Sequence, residues 1–279
     1  MTSILLRQPK PQLRQIGVHP KKGLGQNFLN DEETARRIVE YSGVGPDDSV
    51  LEIGAGLGAL THALLEVGCH VTAVERDEPL IRVLSSRWKN EPRLTLVHAD
   101  ILSVDFASLC PPPPKRFRVV SNLPYSISTP VLERLVEHRG VIDDMTLLLQ
   151  EEVVDRIVAA PGGSDYGRLS VWLQIFNTVE SGPRIPRESF HPVPDVESKL
   201  VKLRPRANAT IPEGEAEDFL AFVGRMFRHR RKTILNGLRA VGFAAPAAKG
   251  VLDSVHVAPD RRPQTLSTKD FWRLFLACR

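Results

Sequence analysis

Ser121-Asn122-Leu123-Pro124-Tyr125-Ser126 is the stretch of this chain best equipped for chemistry. It follows an apolar run, Phe117 to Val120, that reads as a short buried strand. Open α/β sheets bind ligands in the crevice beyond the carboxyl ends of their strands, where such a stretch would lie. Pro124 fixes its own φ and pushes Leu123 towards an extended backbone. With Leu123 extended, its carbonyl and the Asn122 amide oxygen can face the same way, giving two acceptors beside the Tyr125 ring. Such a cradle suits a planar base with an exocyclic amine, whose two N–H donors meet two acceptors while the ring stacks on Tyr125. A strand-ending turn with a buried tyrosine accounts for the same residues, so the stretch alone leaves both readings open.

Other features fall at the ends of apolar runs and would share that crevice. Ser49 to Ile53 reads as the first strand, and Gly54-Ala55-Gly56-Leu57-Gly58 as a turn into a helix from Ala59 to Val67. Glycines there let the backbone reverse tightly and approach a cofactor. His70 to Val74 is the second strand. It ends at Glu75, twenty-one residues after Gly54, where a carboxylate can accept from both hydroxyls of a ribose. Arg93 to His98 is the third strand, ending at Asp100, which reads equally well as a helix N-cap. Met145 to Leu149 is a fifth strand, after a helix from about Pro130 to His138. Strands alternating with helices predict a mostly parallel, doubly wound α/β sheet. Gly54, Gly56 and Ala59 also satisfy the looser dinucleotide fingerprint, so a nicotinamide enzyme competes on that turn. A dehydrogenase, however, needs no aromatic cradle after its fourth strand.

Upstream, Met1 to Pro20 lacks periodicity, holds three prolines and reads as a mobile arm. In Lys21 to Asn30 two glycines allow close backbone approach, and Gln26 and Asn27 offer hydrogen bonds. Asn30 or Asp31 then caps a helix running to about Tyr41. Pro111 to Pro114 reads as a stiff connection. A late strand from Val196 to Leu203 leads into a linker, Arg204 to Gly214. Phe219, Phe222, Val223, Met226 and Phe227 then recur at helical spacing. Arg228-His229-Arg230-Arg231-Lys232 follows, before Ile234, Leu235 and Leu238 resume an apolar stripe. Ser267-Thr268-Lys269-Asp270 is a capping box for a last helix. The end of the chain is thus a small helical domain with a basic corner, either an RNA-phosphate contact or a solvated helix junction.

The net charge of +4 hides an asymmetry. Residues 1–30 hold five Lys or Arg and no acid, and residues 206–279 hold thirteen against seven acids, so the middle of the chain is acidic. Basic ends suit a polyanion. Cys69, Cys110 and Cys278 are scattered without metal-ligand or disulfide spacing, and the eight histidines form no H-x-H or H-E-x-x-H pattern. No metal site is expected, and a reducing cytoplasm is the default. No apolar run is long enough to cross a membrane, and no signal-peptide hydrophobic region is present.

Five ordered motifs give the chain a family resemblance: Gly25-Gln-Asn-Phe-Leu29, Glu52-Ile-Gly-Ala-Gly56, Asn122-Leu-Pro-Tyr125 with Ser126-Ile-Ser-Thr129, Phe190-His-Pro-Val-Pro-Asp-Val-Glu-Ser198, and Arg230-Arg-Lys-Thr233. The chain resembles the KsgA-type ribosomal RNA small-subunit adenine dimethyltransferases, from about Lys21 to the C-terminus. The resemblance implies a class I methyltransferase fold, Rossmann-like with a mostly parallel seven-stranded sheet, and a small C-terminal all-helical domain. It implies S-adenosyl-L-methionine (SAM) as cofactor and dimethylation of N6 on two adjacent adenines in a hairpin loop near the 3′ end of small-subunit ribosomal RNA.

By that similarity Gln26, Asn27 and Leu29 close over the cofactor, and Gly54 and Gly56 approach its amino-acid part. Glu75 holds the ribose, Asp100 the adenine amine, and Asn122 the boundary between cofactor and target base. Asn122 and Leu123 accept from the target amine, Tyr125 stacks on one face of the base and Phe190 on the other. Arg228, Arg230, Arg231 and Lys232 contact RNA. The expected organisation is a flexible basic arm over residues 1–20, a catalytic domain over 21–205 and an RNA-recognition domain over 206–279. A cytoplasmic monomer acting on immature small ribosomal subunits is the implied setting. A resistance-type methyltransferase of large-subunit RNA and a non-catalytic nucleic-acid-binding assembly or transcription factor are the rival readings.

Overall fold

The computed structural model describes residues 9–20, 23, 25–109, 116–207 and 211–279. The chain divides into two units, Met1–Val154 with Glu180–Arg204, and Asp155–Val179 with Pro205–Arg279. The proline connection at 111–114 and Lys21, Lys22 and Leu24 lie outside the described residues.

In the first unit a short helix α1 (Pro9–Gln15) precedes strand β1 (Phe28–Leu29). The expectation of a mobile arm is corrected over residues 9–20. Leu13 and Val18 are buried in a cluster with Phe28, Leu57 and Leu80, and that burial anchors the segment. Helix α2 (Glu32–Ser42) starts as predicted, with the Asp31 carboxylate accepting from the Thr34 N–H at 2.6 Å, and it ends at Gly43 in the left-handed region. The alternation then runs β2 (Ser49–Ile53), α3 (Ala59–Glu66), β3 (His70–Glu75), α4 (Glu78–Arg87), β4 (Leu94–His98), α5 (Phe106–Leu109) and β5 (Phe117–Asn122). It continues with α6 (Ser128–Glu137), β6 (Ile142–Gln150) and α7 (Glu151–Val158), within which the chain passes to the second unit.

After α8 (Arg168–Phe176), strand β7 (Asn177–Ile185) returns to the first unit, followed by β8 (Phe190–His191) and β9 (Ser198–Pro205). The main sheet has seven strands in the order β4-β3-β2-β5-β6-β9-β7, and β1 pairs separately with β8. Strands β2 to β6 are mutually parallel and β9 runs antiparallel to β6. Such strands are covered on both faces, which is why β2 and β6 are buried along most of their length. From the centre, β2, β3 and β4 are laid down in one direction and β5 and β6 in the other, so the order reverses between β2 and β5. That is the switch point at which open sheets open a crevice.

The second unit gains a helix that was not assigned to it from sequence. Val171, Trp172, Leu173, Ile175 and Phe176 of α8 are all buried, and α8 packs against α9 (Ala216–Arg228) and α12 (Thr268–Ala277). Asp155–Val179 falls in the same unit as Pro205–Arg279, so this unit draws on two stretches of the chain. Between α9 and α12 lie α10 (Ile234–Ala240) and α11 (Ala245–Ser254). Phe219, Phe222, Val223 and Met226 are buried as their spacing predicts, and Phe219 meets Trp272 and Phe275 edge-on. Ser267 and Asp270 form the predicted capping box, each side chain accepting from the other's main-chain N–H.

Candidate active site

Residues from the carboxyl ends of β2, β3 and β5 line one cleft in the first unit, together with the chain before β1 and the turn after β4. Gln26, Asn27, Leu29, Gly54, Gly56, Glu75, Asp100, Asn122, Leu123 and Tyr125 all contribute to it.

Asn122 ends β5, one residue beyond Ser121, whose hydroxyl accepts the Ile53 N–H at 2.8 Å and ties β5 to β2. The Asn122 amide nitrogen donates to the Asn27 carbonyl at 3.0 Å. A carbonyl needs a donor, so this contact fixes which end of the amide faces Asn27. Asn122 Oδ1 then points elsewhere, buried and with no hydrogen-bond partner among the described residues. Leaving such an atom unpaired costs about 1–3 kcal/mol, a cost relieved when an N–H donor arrives. The Leu123 N–H is tied to the Leu148 carbonyl at 3.2 Å, and Pro124 sits at φ −58°, ψ 126°. Tyr125 is anchored through its hydroxyl, 2.5 Å from Ser198 Oγ, and burial raises its pKa.

The glycine turn is held from two sides. Glu75 Oε2 accepts from the Gly56 N–H at 2.8 Å, and Oε1 accepts from the Arg76 and Asp77 N–H groups, each at 2.8 Å. Three of the roughly four lone-pair directions of the carboxylate are therefore used, leaving about one for an incoming hydroxyl rather than the pair the sequence suggested. Burial raises the Glu75 pKa, opposed by those three N–H donors. Behind the turn, Arg87 Nη1 donates to the Leu57 carbonyl at 2.6 Å and Nη2 to Gln12 Oε1 at 2.9 Å, so α1 braces the cleft wall. Gly56 has φ 59°, and a Cβ there would stand 3.1 Å from the Phe28 ring. Gly25 has φ 62°, and a Cβ there would lie 2.8 Å from the Ser126 amide nitrogen, so only glycine lets the Gln26-Asn27 loop close on the Tyr125 turn. Gln26 Nε2 completes that closure by donating to Asp77 Oδ2 at 3.1 Å.

Asp100 combines two of its expected characters. Its Oδ1 caps the short turn Ile101–Ser103 through the Leu102 N–H at 3.0 Å, its Oδ2 pairs with Arg76 at 3.1 Å, and it lines the cleft. Phe190 departs from expectation. It pairs with Leu29 across β1 and β8, is 0% exposed, and packs in the core with Leu29, Ala55, Leu60 and Val120. The stacking face assigned to it is corrected to a core contact in this structure, because the strand pairing draws the ring inward.

Glu52 was missed as a site residue. It lines the cleft but is buried, and its Oε2 accepts from the Thr61 hydroxyl at 2.6 Å. Burial pushes its pKa up to about 8, with the neighbouring Glu75 charge adding to the rise and Thr61 opposing it. The available signal was an acid inside an otherwise apolar strand, two residues before Gly54.

Arg228, Arg230, Arg231 and Lys232 lie in the second unit, at the junction of α9 and α10, and all four are exposed. Arg230 is tethered, donating to the Ser164 carbonyl at 2.9 Å. Cations at the end of α9 are favoured by its dipole. Among the described residues no cluster of three or more His, Cys, Asp or Glu is placed to hold a metal, and no helix is long and apolar enough to cross a membrane.

A protein-family model described as Ribosomal RNA adenine dimethylase matches residues 18–274. Ribosomal RNA small subunit methyltransferase A of Geobacter metallireducens is 38% identical over 262 residues, covering 93% of this chain and 95% of that one. The protein of the same name from Laribacter hongkongensis is 41% identical over 257 residues, with coverages of 90% and 93%. Among solved structures, a dimethyladenosine transferase from Plasmodium falciparum superposes with a TM-score of 0.74 at 26% identity, covering 89% of this chain and 96% of that one. The 23S rRNA methyltransferase ErmE superposes with a TM-score of 0.66 at 28% identity, covering 90% and 99%.

Proposed function

Because the chain belongs to the ribosomal RNA adenine dimethylase family, we propose that it dimethylates N6 of two adjacent adenines in a hairpin loop near the 3′ end of small-subunit ribosomal RNA. It uses SAM and acts during ribosome assembly, as a cytoplasmic monomer on immature small subunits. The observation that carries this reading is the buried, unpartnered Asn122 Oδ1, held in place by the bond from its own amide nitrogen to Asn27.

SAM, when bound, supplies a methyl group on a cationic sulfur. The cleft fits it: Glu75 keeps one acceptor direction for a ribose hydroxyl, the glycine turn brings main chain to the wall, and Gln26 and Asn27 close the loop above. Asp100 and Arg76 offer polar atoms for an adenine edge.

An adenine amine is a poor nucleophile because its lone pair is delocalised into the ring. Accepting one N–H at Asn122 Oδ1 and the other at the Leu123 carbonyl favours a pyramidal nitrogen with its lone pair free to attack in line. Positioning supplies most of the acceleration. No general base is required before attack, since the amine becomes acidic only after alkylation. For the second transfer the monomethyl amine keeps one N–H and turns within the same acceptors. The base reaches the cradle only when extruded from its stack, which costs least in a loop. Tyr125, fixed by Ser198, provides a face to stack on.

The large-subunit reading draws on the likeness to ErmE. The closer sequence likeness to proteins named for the small subunit favours the other substrate. Transfer of labelled methyl from SAM to unmethylated small subunits, followed by mapping of the modified bases, tests the proposal. Label in two adjacent adenines of the 3′-terminal hairpin is expected; label only in large-subunit RNA would overturn it. Reversing Arg230 and Arg231 to Glu should weaken binding to the subunit and lower the magnitude of its log-salt slope by about 2. An unchanged slope would make that corner structural.

A further inference from the structure

The motif that begins at Phe190 holds two residues that neither the core nor the cleft uses. Val193 is 53% exposed and Val196 is 42% exposed, two of the few large apolar side chains of the described residues that face solvent. Single exposed valines need no explanation. These two stand three positions apart on one loop, with Pro194 buried between them as its inner anchor.

Both ends of the loop are fastened to the cleft. At its start, Phe190 and His191 pair with Leu29 and Phe28, which line the cleft, and Asn30 Nδ2 donates to the Phe190 carbonyl at 2.9 Å. At its end, Ser198 meets the Tyr125 hydroxyl at 2.5 Å. The Glu197 carbonyl accepts from the Glu151 N–H at 3.0 Å, and its carboxylate from the Arg187 N–H at 2.9 Å. Pro192 and Pro194 each remove one backbone freedom. The result is a stiff apolar rim beside the tyrosine on which the target base would stack.

We propose that Val193 and Val196 form a wedge that fills the gap left in the RNA stack when the target adenine is extruded, holding the neighbouring base away from closure. Extrusion leaves the bases on either side without a stacking partner. Proteins that force nucleic acid open commonly offset that loss with an apolar side chain. The charge of the loop selects the part of the RNA that meets it. Asp195, exposed between the two valines, would repel a phosphate, so a base rather than the backbone faces the loop. Lys10 of α1 lies near His191, whose imidazole pKa is lowered by burial and further by the Lys10 charge, and it can take the flanking phosphate. The inference rests on the adenine-methylation reading and adds residues to it.

The test uses the full chain and unmethylated small subunits whose 3′-terminal hairpin carries 2-aminopurine in place of the base that stacks on a target adenine. Its fluorescence rises when that adenine leaves the stack. Wild type should raise it. Val193→Ser with Val196→Ser should lose most of that rise and lower kcat/KM for the subunit roughly tenfold. The affinity for SAM should stay unchanged in that variant. Val193→Ile with Val196→Ile should restore the signal, and Val67→Ser, at an exposed valine elsewhere, should leave it intact. An undiminished rise in the double Ser variant overturns the wedge while leaving the methylation reading standing. No rise in wild type also overturns it, and methyl transfer to the unsubstituted subunits then shows whether the methylation reading falls too.

Discussion

Strand β5 carries an arginine near one end and an asparagine at the other, and the two ends are finished in opposite ways. Arg118 donates to both oxygens of Asp144 at 3.0 and 2.8 Å, to Asp48 at 3.0 Å, and to the carbonyls of Ser42 and Gly43 that end α2. Its donors are met by acceptors of the protein itself. Asn122 satisfies its nitrogen and leaves its oxygen buried and unpaired. Nearby Glu52 is buried, with Thr61 as its hydrogen-bond partner and burial favouring its protonated form. The closed end holds the sheet to α2. The open end keeps an acceptor whose partner must come from outside. Incomplete satisfaction at a switch point is therefore the functional signal, and it is sharper than polarity alone.

The comparison breaks if both ends respond alike to mutation. Asn122→Ala should lower kcat roughly a hundred- to a thousand-fold, the usual range for removing one positioned polar contact to a reacting centre. The same variant should keep its thermal stability and its SAM affinity, measured by single-turnover kinetics, melting and calorimetry. Arg118→Ala should do the reverse. It leaves the buried Asp144 carboxylate with the exposed Arg204 at 3.8 Å as its remaining ion pair, costing about 3 kcal/mol in denaturant melts, while kcat of the folded fraction is kept. A large kcat loss there would erase the distinction between the ends.

Glu75→Ala sharpens the comparison, because Glu75 belongs partly to each class. Its three main-chain donors make it structural and its remaining acceptor makes it a binding group. SAM affinity should weaken by about 1–3 kcal/mol in calorimetry. Unchanged affinity would make it structural alone. Glu52 is read through pH rather than through a single assay. With a folded pKa of about 8, the folded protein keeps a proton that the unfolded chain releases near pH 4.5. Stability from this group is fully present below the unfolded value and falls as pH rises towards 8, by up to about 1.4 kcal/mol per unit. Glu52→Gln removes that loss, so the variant should gain on wild type from pH 5 to pH 8. Parallel pH profiles would show Glu52 to be charged throughout.

Much of the open end was legible in sequence because its residues are local. Asn122 to Tyr125 are consecutive, and the glycine turn, Glu75 and Asp100 each follow an apolar run. The alternation of strands and helices then brings those ends together. What sequence could not give depends on distant pairs. Asn27 and Asn122 are 95 residues apart, and their bond fixes the amide. Tyr125 and Ser198 are 73 apart. Phe190 offered a choice between base face and core that only its pairing with Leu29 decides. Helix α1 has too few apolar residues for a periodic signal, and its order comes from burying Leu13 and Val18 on Phe28, Leu57 and Leu80. Helix α8 was unassigned because a short, mostly apolar segment does not reveal which core it joins.

A crystal structure with an adenine nucleoside joined through N6 to a SAM analogue tests the central claim most directly. The account predicts N6 about 3 Å from both Asn122 Oδ1 and the Leu123 carbonyl, with the Asn122 nitrogen still on Asn27. An Asn122 amide reversed towards N6, or both oxygens turned away from it, would contradict the account.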